Sequence, residues 1–554
     1  MTSIFKSRNI LPPSWFRTLV LATSLLGFVP ISGAAGAKVL QQSTLEAKAL
    51  TFADGGKTKF GNFPNGITHQ QFPMRTNRGY QYAIYYDHDR QLCVGRRKLP
   101  AAPWEVIRFT DYKITNNDTH NVAVLGICEN DGTIHLTWDH HVSDLHYRRS
   151  KVGAANNPES TPWTTDLFGP ITKVLDRIGP VTQVTYPRFI SMPNGDLMLY
   201  YRFVTSGNGD CMIRVYDGKK NQWSKSHGKF IDRQIGKFEF NGKTSQYRYA
   251  YINGIGYGGK RLHVSWVWRD RFEKTSASNQ HDLCYAYSDD DGLTWNNSAG
   301  KRIAVTGKSF IHIDSPGLIV HPIDPGRGVT NQNTQFAYPD GSLHVILLYH
   351  LKGSSGSRPY HHHWRDAAGK WHSEALPFTG SRPELVGDDQ RNLFIVYTAG
   401  SSLRILKGVP NAALSAWSWS LIHNSATPPT GGDGQIDLSR WQSERILSVY
   451  HQEKPAKILD YGGGRAIDGT PAPLHVTDFQ VTTAPGGAAQ AAARVTRTLT
   501  SREGVTAEAE IIEVRSGKLI CIIDGERLEI PVSELASDDV QFLKNWHRQR
   551  EIHP

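Results

Sequence analysis

The sequence predicts an all-β protein: a seven-bladed β-propeller followed by a small β-barrel-like C-terminal domain. Three observations predict it. A unit of Gly-containing turn, apolar or aromatic strand, short loop and second strand recurs seven times. Long amphipathic helical patterns are nearly absent. The 554 residues are also rich in turn formers, with 51 Gly and 29 Pro. The copies fall at 80–94, 132–149, 195–216, 260–295, 341–364, 392–406 and 445–461. Their spacing, roughly 50–80 residues, leaves room for a four-stranded sheet in each, and radial repetition of such sheets makes a propeller. A tandem of β-sandwiches is the alternative, but it gives no reason for seven similar copies.

Taken in order, residues 1–37 read as a signal peptide. Lys6, Arg8 and Arg17 are basic, 19–31 is almost wholly apolar, and Ala35-Gly36-Ala37 offers small residues for cleavage. The apolar run falls short of the ~20 residues of a bilayer span. The expectation is an exported protein, periplasmic or secreted, with no transmembrane span in the mature chain. The alternative is a single uncleaved anchor. The propeller occupies 38–480, and 481–494 is a linker, low in complexity at TTAPGGAAQAAA. Residues 495–554 form the last domain. Strand-like alternation over 507–531, with turns at Ser516-Gly517 and Asp524-Gly525, precedes a helix over 532–546 with Ser537 as N-cap. On the stretch DGERLEIPVSELASDDVQFL this domain resembles the SLA1-homology-type barrels of exported bacterial proteins. That resemblance implies binding to another protein or a surface, not chemistry.

Within the fourth copy, Ser288-Asp289-Asp290-Asp291-Gly292-Leu293-Thr294-Trp295 matches the Asp-box pattern S-x-D-x-G-x-T-W. Asp and the hydroxyls tie a hairpin turn, Gly permits its bend, and Trp packs between sheets. Such a box is structural. The five cysteines (Cys93, Cys128, Cys211, Cys284 and Cys521) are scattered without a C-x-x-C, so neither a zinc ribbon nor a disulfide framework is indicated. A net charge of +11 asks for an acidic partner. No Lys/Arg block or nucleic-acid module is present and export is expected, so an anionic polysaccharide fits better as the partner and no nucleic acid is expected; a generically basic exported protein is the plainer alternative.

Chemistry is read from the rim where inner strands begin and second strands return. His120 opens the second blade, and His140-His141 closes its second strand across the Asn130-Asp131-Gly132 turn. Tyr186 and Arg202 take the matching places in blade three. Tyr247 or Tyr249 does so in blade four, and Asn331-Gln332 in blade five. Taken singly, each has a plainer structural reading: a strand cap, exposed rim rings, an ordinary β-aromatic before Pro187, a surface arginine. Together they offer an imidazole, a phenol and a guanidinium. These are the base, acid and charge-neutraliser that β-elimination from a uronic acid requires. Hydrolysis would call for paired carboxylates, which these positions lack. Asp139 and Asp144 are the nearby carboxylates, with Asp139 alternating away from His140.

HNVAVLGICENDGTIHLTWDHH, VTYPRF and YYRFVTSGNGD resemble the seven-bladed propeller lyases that cleave ulvan, a sulfated rhamnose–uronate polysaccharide. The similarity runs over most of 80–350. It implies catalytic roles for His120, Tyr186 and Arg202, with His120 and Tyr186 exchanging protons and Arg202 neutralising the carboxylate. It also implies sugar binding by His140 and by Tyr249 or Tyr247. No cofactor is required for this chemistry. His361-His362-His363 with His372, and His281 ahead of Cys284, are histidine-dense but lack complete ligand spacing; exposed loop histidines are the expectation there, a structural metal ion the alternative. Competing functions are a propeller glycoside hydrolase of rhamnosidase or sialidase type and a non-catalytic carbohydrate-binding propeller.

Overall fold

The computed structural model describes residues 36–52, 61–205, 207–245, 247–271, 279–455, 469–481, 495–503, 506–515, 517–523 and 526–552. Most of the expected signal peptide, the linker from 482 onward and the turn at 524–525 lie outside the described residues.

Seven antiparallel blades follow one another along the chain. Blade 1 runs Met74–Asn77, Tyr80–Tyr86, Gln91–Lys98 and Glu105–Lys113. Blade 2 is Ala123–Ile127, Ile134–Trp138 and Tyr147–Arg149. Blade 3 comprises Val184–Ser191, Leu197–Thr205 and Asn208–Asp217, with Gln222–Trp223 outermost. Blade 4 comprises Arg248–Gly258, Arg261–Asp270, Gln280–Ser288 and Thr294–Asn296. Blade 5 spans Thr334–Ala337 to Trp371–Ala375, and blade 6 spans Glu384–Gly387 to Trp417–Ser425. Blade 7 is built from Thr430–Ile436, Leu447–Glu453 and Ala472–Gln480, and its fourth strand is the N-terminal Lys38–Ala49. All seven copies read from the sequence fall in these blades. The last differs in one respect: its second half is not within 445–461, because the returning strand comes at Ala472–Gln480.

The burial patterns explain why these segments became strands. Second strands are covered on both faces by neighbouring blades, so they read as unbroken apolar runs. Tyr80–Tyr86 and Leu343–Leu348 are buried throughout. Outer strands have one wet face and alternate: in Glu105–Lys113, Ile107 and Phe109 are buried between exposed neighbours. The hydrophobic cores lie between blades. One joins Tyr82, Ile84 and Leu92 of blade 1 to Leu125 and Trp138 of blade 2, and another joins Val124 of blade 2 to Phe189 and Leu199 of blade 3. The seams are also hydrogen-bonded. Gln70 Nε2 donates to Ala123 O at 3.0 Å between blades 1 and 2. Trp441 Nε1 donates to Gly387 O at 2.8 Å between blades 7 and 6. The ring closes where Gln81 of blade 1 donates to Asp437 Oδ2 at 2.8 Å. Asp437 also N-caps a short helix, Leu438–Glu444, that the sequence reading missed.

The Asp box bridges strands three and four of blade 4. Asp290 accepts from Ser288 Oγ (2.8 Å), Thr294 N (2.8 Å) and Thr294 Oγ1 (2.8 Å), and Trp295 is fully buried against Phe230. All five cysteines are free and buried. The C-terminal domain is a four-stranded antiparallel sheet in sequential order followed by the helix Ser537–Ile552. Leu499, Ile511, Leu519, Cys521 and Leu543 form its core. The helix starts later than expected because residues 532–534 form a separate 3-10 turn, and Ser537 lies inside its first turn. Ala536 O accepts from Val540 N, which makes Ala536 the residue before the first turn.

Candidate functional site

The inner-strand starts converge as the blade equivalence predicts. His120, Tyr186 and Arg202 meet at one rim. Tyr186 reaches it through a β-bulge: pairing of the inner strand with Leu197–Thr205 slips between Thr185 and Arg188, and Tyr186 has φ +54°. A residue before proline favours extended geometry, so this is a correction to the plain β-aromatic reading. A bulky side chain at positive φ costs of order 1–3 kcal/mol and marks a re-aimed functional residue. The ring turned inward by the bulge lies 5.6 Å from the His120 ring and 4.7 Å from the Arg202 guanidinium carbon.

Arg202 is completely buried, and Nε, Nη1 and Nη2 all lack a hydrogen-bond partner among the described residues. Its guanidinium lies between the faces of Tyr186 and Tyr249, the latter at 5.1 Å. Gly209 makes the space, since a Cβ there would sit 2.7 Å from Arg202 Cγ. A buried cation without a counter-charge is costly unless an anion from outside completes it.

His120 is anchored by Asp118, a residue the sequence reading passed over. Asp118 Oδ1 accepts from His120 N (3.1 Å) and from the His120 ring at Nδ1, while Oδ2 accepts from His141 Nδ1 at 2.6 Å. Donation at Nδ1 places the His120 lone pair on Nε2. Burial lowers the His120 pKa to about 4, so the ring is neutral at working pH. The two hydrogen-bonding histidines push Asp118 far below the usual carboxylate range, against the opposing effect of its burial. Burial raises the Tyr186 pKa, with Tyr251 adding to the effect and Arg202 opposing it, so the phenol keeps its proton.

His140 does not reach this pocket. It is fully buried in blade 2, with Nε2 2.8 Å from Thr137 Oγ1 and Nδ1 2.8 Å from Ser143 Oγ. Its neighbour takes the place: Asp139 has φ +59°, the chain turns, and His141 stacks on His120 with centroids 4.2 Å apart. Asp139 is held by Tyr112 and Asn116, as its alternation suggested. In blade 4, Tyr249 is buried, its hydroxyl 2.9 Å from that of Tyr200, while Tyr247 lies before the strand and is half exposed. The strand also delivers Tyr251, 6.3 Å from Tyr186 and hydrogen-bonded by Arg269.

Two further rim residues come from blades not used above. His69 precedes the inner strand of blade 1, stacks on His120 at 4.6 Å and pairs with Gln332 of blade 5 at 2.7 Å. Arg382, ahead of the blade 6 strand, grips Asn331 through two hydrogen bonds of 2.7 Å. The signal for both was available, because each sits where His120 sits in its own blade. The repeat reading began at residue 80 and so missed blade 1's inner strand.

Asp118, His120 and His141 are the group of described residues whose ligand atoms lie close enough to hold a metal ion. Their atoms already satisfy one another by hydrogen bonds. The 361–363 histidines are not in an exposed loop; they lie in the buried strand Tyr360–Arg365. His362 bonds Glu374 and His344, and His361 stacks on Tyr349.

Known proteins with this arrangement can now be set beside it. Over 383 residues the chain is 25% identical to the long isoform of ulvan lyase from Alteromonas sp. (strain LOR), covering 59% of this chain and 36% of that protein. It is 26% identical over 526 residues to the short isoform from the same strain, covering 82% and 92%. The chain thus spans well under half of the long isoform and most of the short one. Among solved structures, polysaccharide lyase Uly1 superposes with TM-score 0.61 at 18% identity, covering 80% of this chain and 100% of that one. A PL25 ulvan lyase bound to -[GlcA(1-4)Rha3S]- gives 0.52 at 12% identity, covering 78% and 97%. These likenesses agree with the propeller fold. Residues 80–378, more than half of the chain, match the model of the BNR repeat-containing family, and to that family this protein belongs.

Proposed function

We propose that this protein is an exported polysaccharide lyase that cleaves a uronate-containing, sulfated polymer of the ulvan type by β-elimination. The observation that carries the reading is Arg202, a fully buried guanidinium with three unpartnered nitrogens beside a neutral imidazole and a protonated phenol. A uronate carboxylate completes Arg202, and neutralising it acidifies the C5 proton. His120 accepts that proton at Nε2, and its low pKa and Asp118 anchor keep the lone pair ready. Tyr186 donates to the departing glycosidic oxygen; burial raises its pKa, so the phenol still holds its proton when the more basic leaving oxygen needs it. The C5–H and C4–O bonds break and a C4=C5 double bond forms.

His141 and Tyr247 supply sugar contacts, and His140 holds the His141 turn in place. Arg269, Arg358 and Arg382 have no carboxylate within ion-pair distance among the described residues, which suits a polyanion and the charge of +11. Both oxygens of Asp118 are engaged by histidines, so it is not one of a pair of carboxylates facing a sugar; this favours elimination over hydrolysis. The C-terminal domain binds another protein or a surface. No helix of the described residues is long and apolar enough to cross a membrane. The test is to incubate the protein with ulvan and follow both ultraviolet absorbance from the unsaturated uronate and new reducing ends. Both rise together for a lyase. Reducing ends without absorbance would refute elimination.

A further inference from the structure

Behind the rim, the propeller axis widens into a cavity that the proposed chemistry does not use. Gln71 and Arg75 of blade 1, Arg188 and Ser191 of blade 3, Asn253 of blade 4 and Glu384 of blade 6 are among its lining residues. Arg75 and Arg188 are buried, at 5% and 1% exposure. Each straddles a seam. Arg75 Nη2 donates to Phe189 O at 2.7 Å, and Arg188 Nη2 donates to Ile252 O at 3.1 Å. Their remaining donors are not all met: Arg75 Nε, Arg188 Nε and Asn253 Nδ2 are buried without a hydrogen-bond partner among the described residues. Neither guanidinium has a carboxylate within ion-pair distance among those residues; both are bound by neutral carbonyls.

Three unsatisfied donors, two of them cationic, outnumber the one unpartnered buried acceptor of the lining, Gln335 Oε1, and make an environment that water alone serves poorly. A water brings two protons that need acceptors, whereas an anion accepts from every side. The carboxyl that lines the cavity does not cancel the charge. Burial pushes Glu384 up to about 8, so at neutral pH it is largely protonated, and its Oε1 lies 3.3 Å from Gln71 Nε2.

We infer that this axial cavity is a binding site for a small inorganic anion, of which chloride is the simplest, held by Arg75, Arg188 and Asn253 and joining blades 1, 3 and 4 at the axis. The site is separate from the uronate site, since His120, Tyr186 and Arg202 are not among its lining residues. It also stands whether or not the protein is a lyase.

The test uses the full chain in two ways. Crystals soaked in bromide should show an anomalous peak within hydrogen-bond reach of Arg75 and Arg188. Thermal melts at constant ionic strength, exchanging gluconate for chloride, should raise Tm by several degrees, because a ligand that binds only the folded state stabilises it. Arg188→Met should abolish the chloride increment. Asn253→Asp, which places a resident carboxylate in the cavity, should abolish it too while raising Tm in gluconate, and this keeps the test decisive if Arg188→Met fails to fold. No bromide peak, or a chloride increment that persists in Asn253→Asp, would overturn the assignment.

Discussion

Replacing Arg202 by methionine tests the site most directly, because the structure assigns it a large effect on catalysis and almost none on stability. On stability, the substitution loses two cation–π contacts, to Tyr186 at 4.7 Å and Tyr249 at 5.1 Å. Desolvated contacts of this kind are worth about 2 kcal/mol each, so about 4 kcal/mol is lost. It also relieves a buried charge that no protein carboxylate balances, which returns several kcal/mol. The side chains are similar in length and Gly209 leaves the space open, so packing changes little. The two sums nearly cancel, and Arg202→Met should melt within a few degrees of the parent. On catalysis, the enolate-like charge loses its stabiliser, and removing one such donor costs about 10²–10³ in kcat. Urea melts and initial rates of double-bond formation on ulvan make the comparison. The expected result is a large fall in kcat with unchanged stability. Unfolding by several kcal/mol, or turnover within a factor of about three of the parent, would refute the argument that Arg202 waits for the substrate carboxylate.

Other outcomes follow from the same geometry. Tyr186→Phe should keep the fold, because its hydroxyl makes no hydrogen bond to the scaffold among the described residues, and lower kcat by about 10²–10⁴. His140→Ala and His141→Ala should separate cleanly. The first removes the ring's hydrogen bonds to Thr137 and Ser143 and costs about 1–3 kcal/mol in melts, whereas the second reduces turnover with the fold intact. Gly209→Ala should push Arg202 aside and cost activity more than stability. Acid should destabilise the protein. His120 and His140 are held near 4 and 3 while an unfolded histidine titrates near 6.5, so the unfolded chain binds the extra protons between those values. Each then removes about 1.4 kcal/mol per pH unit as pH falls below about 6.5, and His140→Gln should flatten the slope of unfolding free energy against pH by one proton.

The ring was legible from sequence because its signals are local and repeated. Every blade needs a turn and an apolar second strand, and all seven left a mark even at about 10–20% identity to solved relatives. The cluster was legible only where a residue stood at an inner-strand start, as His120, Tyr186 and Tyr249 do, or where a second strand returns to the rim, as at Arg202. Asp118 was missed because it acts through a turn, its carboxylate folding back on His120 N, and turns carry no periodicity. His140 and His141 were assigned in the wrong order because strand alternation was carried one step too far. The left-handed Asp139 breaks that alternation, and nothing in WDHH marks an aspartate that adopts φ +59°. His69 and Arg382 lay outside the copies as first bounded.

The strand that closes blade 7 has a consequence for how the protein comes to exist. Lys38–Ala49 pairs with Ala472–Gln480, so the first strand of the fold waits for nearly the last, with partners such as Thr44 and His475 over 400 positions apart. Six blades can form as the chain emerges, but the seventh cannot, and the seam that aligns His69 with His120 is sealed only after it does. Contacts this distant in sequence slow folding. The ring therefore stays open until the chain through residue 480 is available. Trimming past residue 38 should thus silence a site to which those residues contribute no atom.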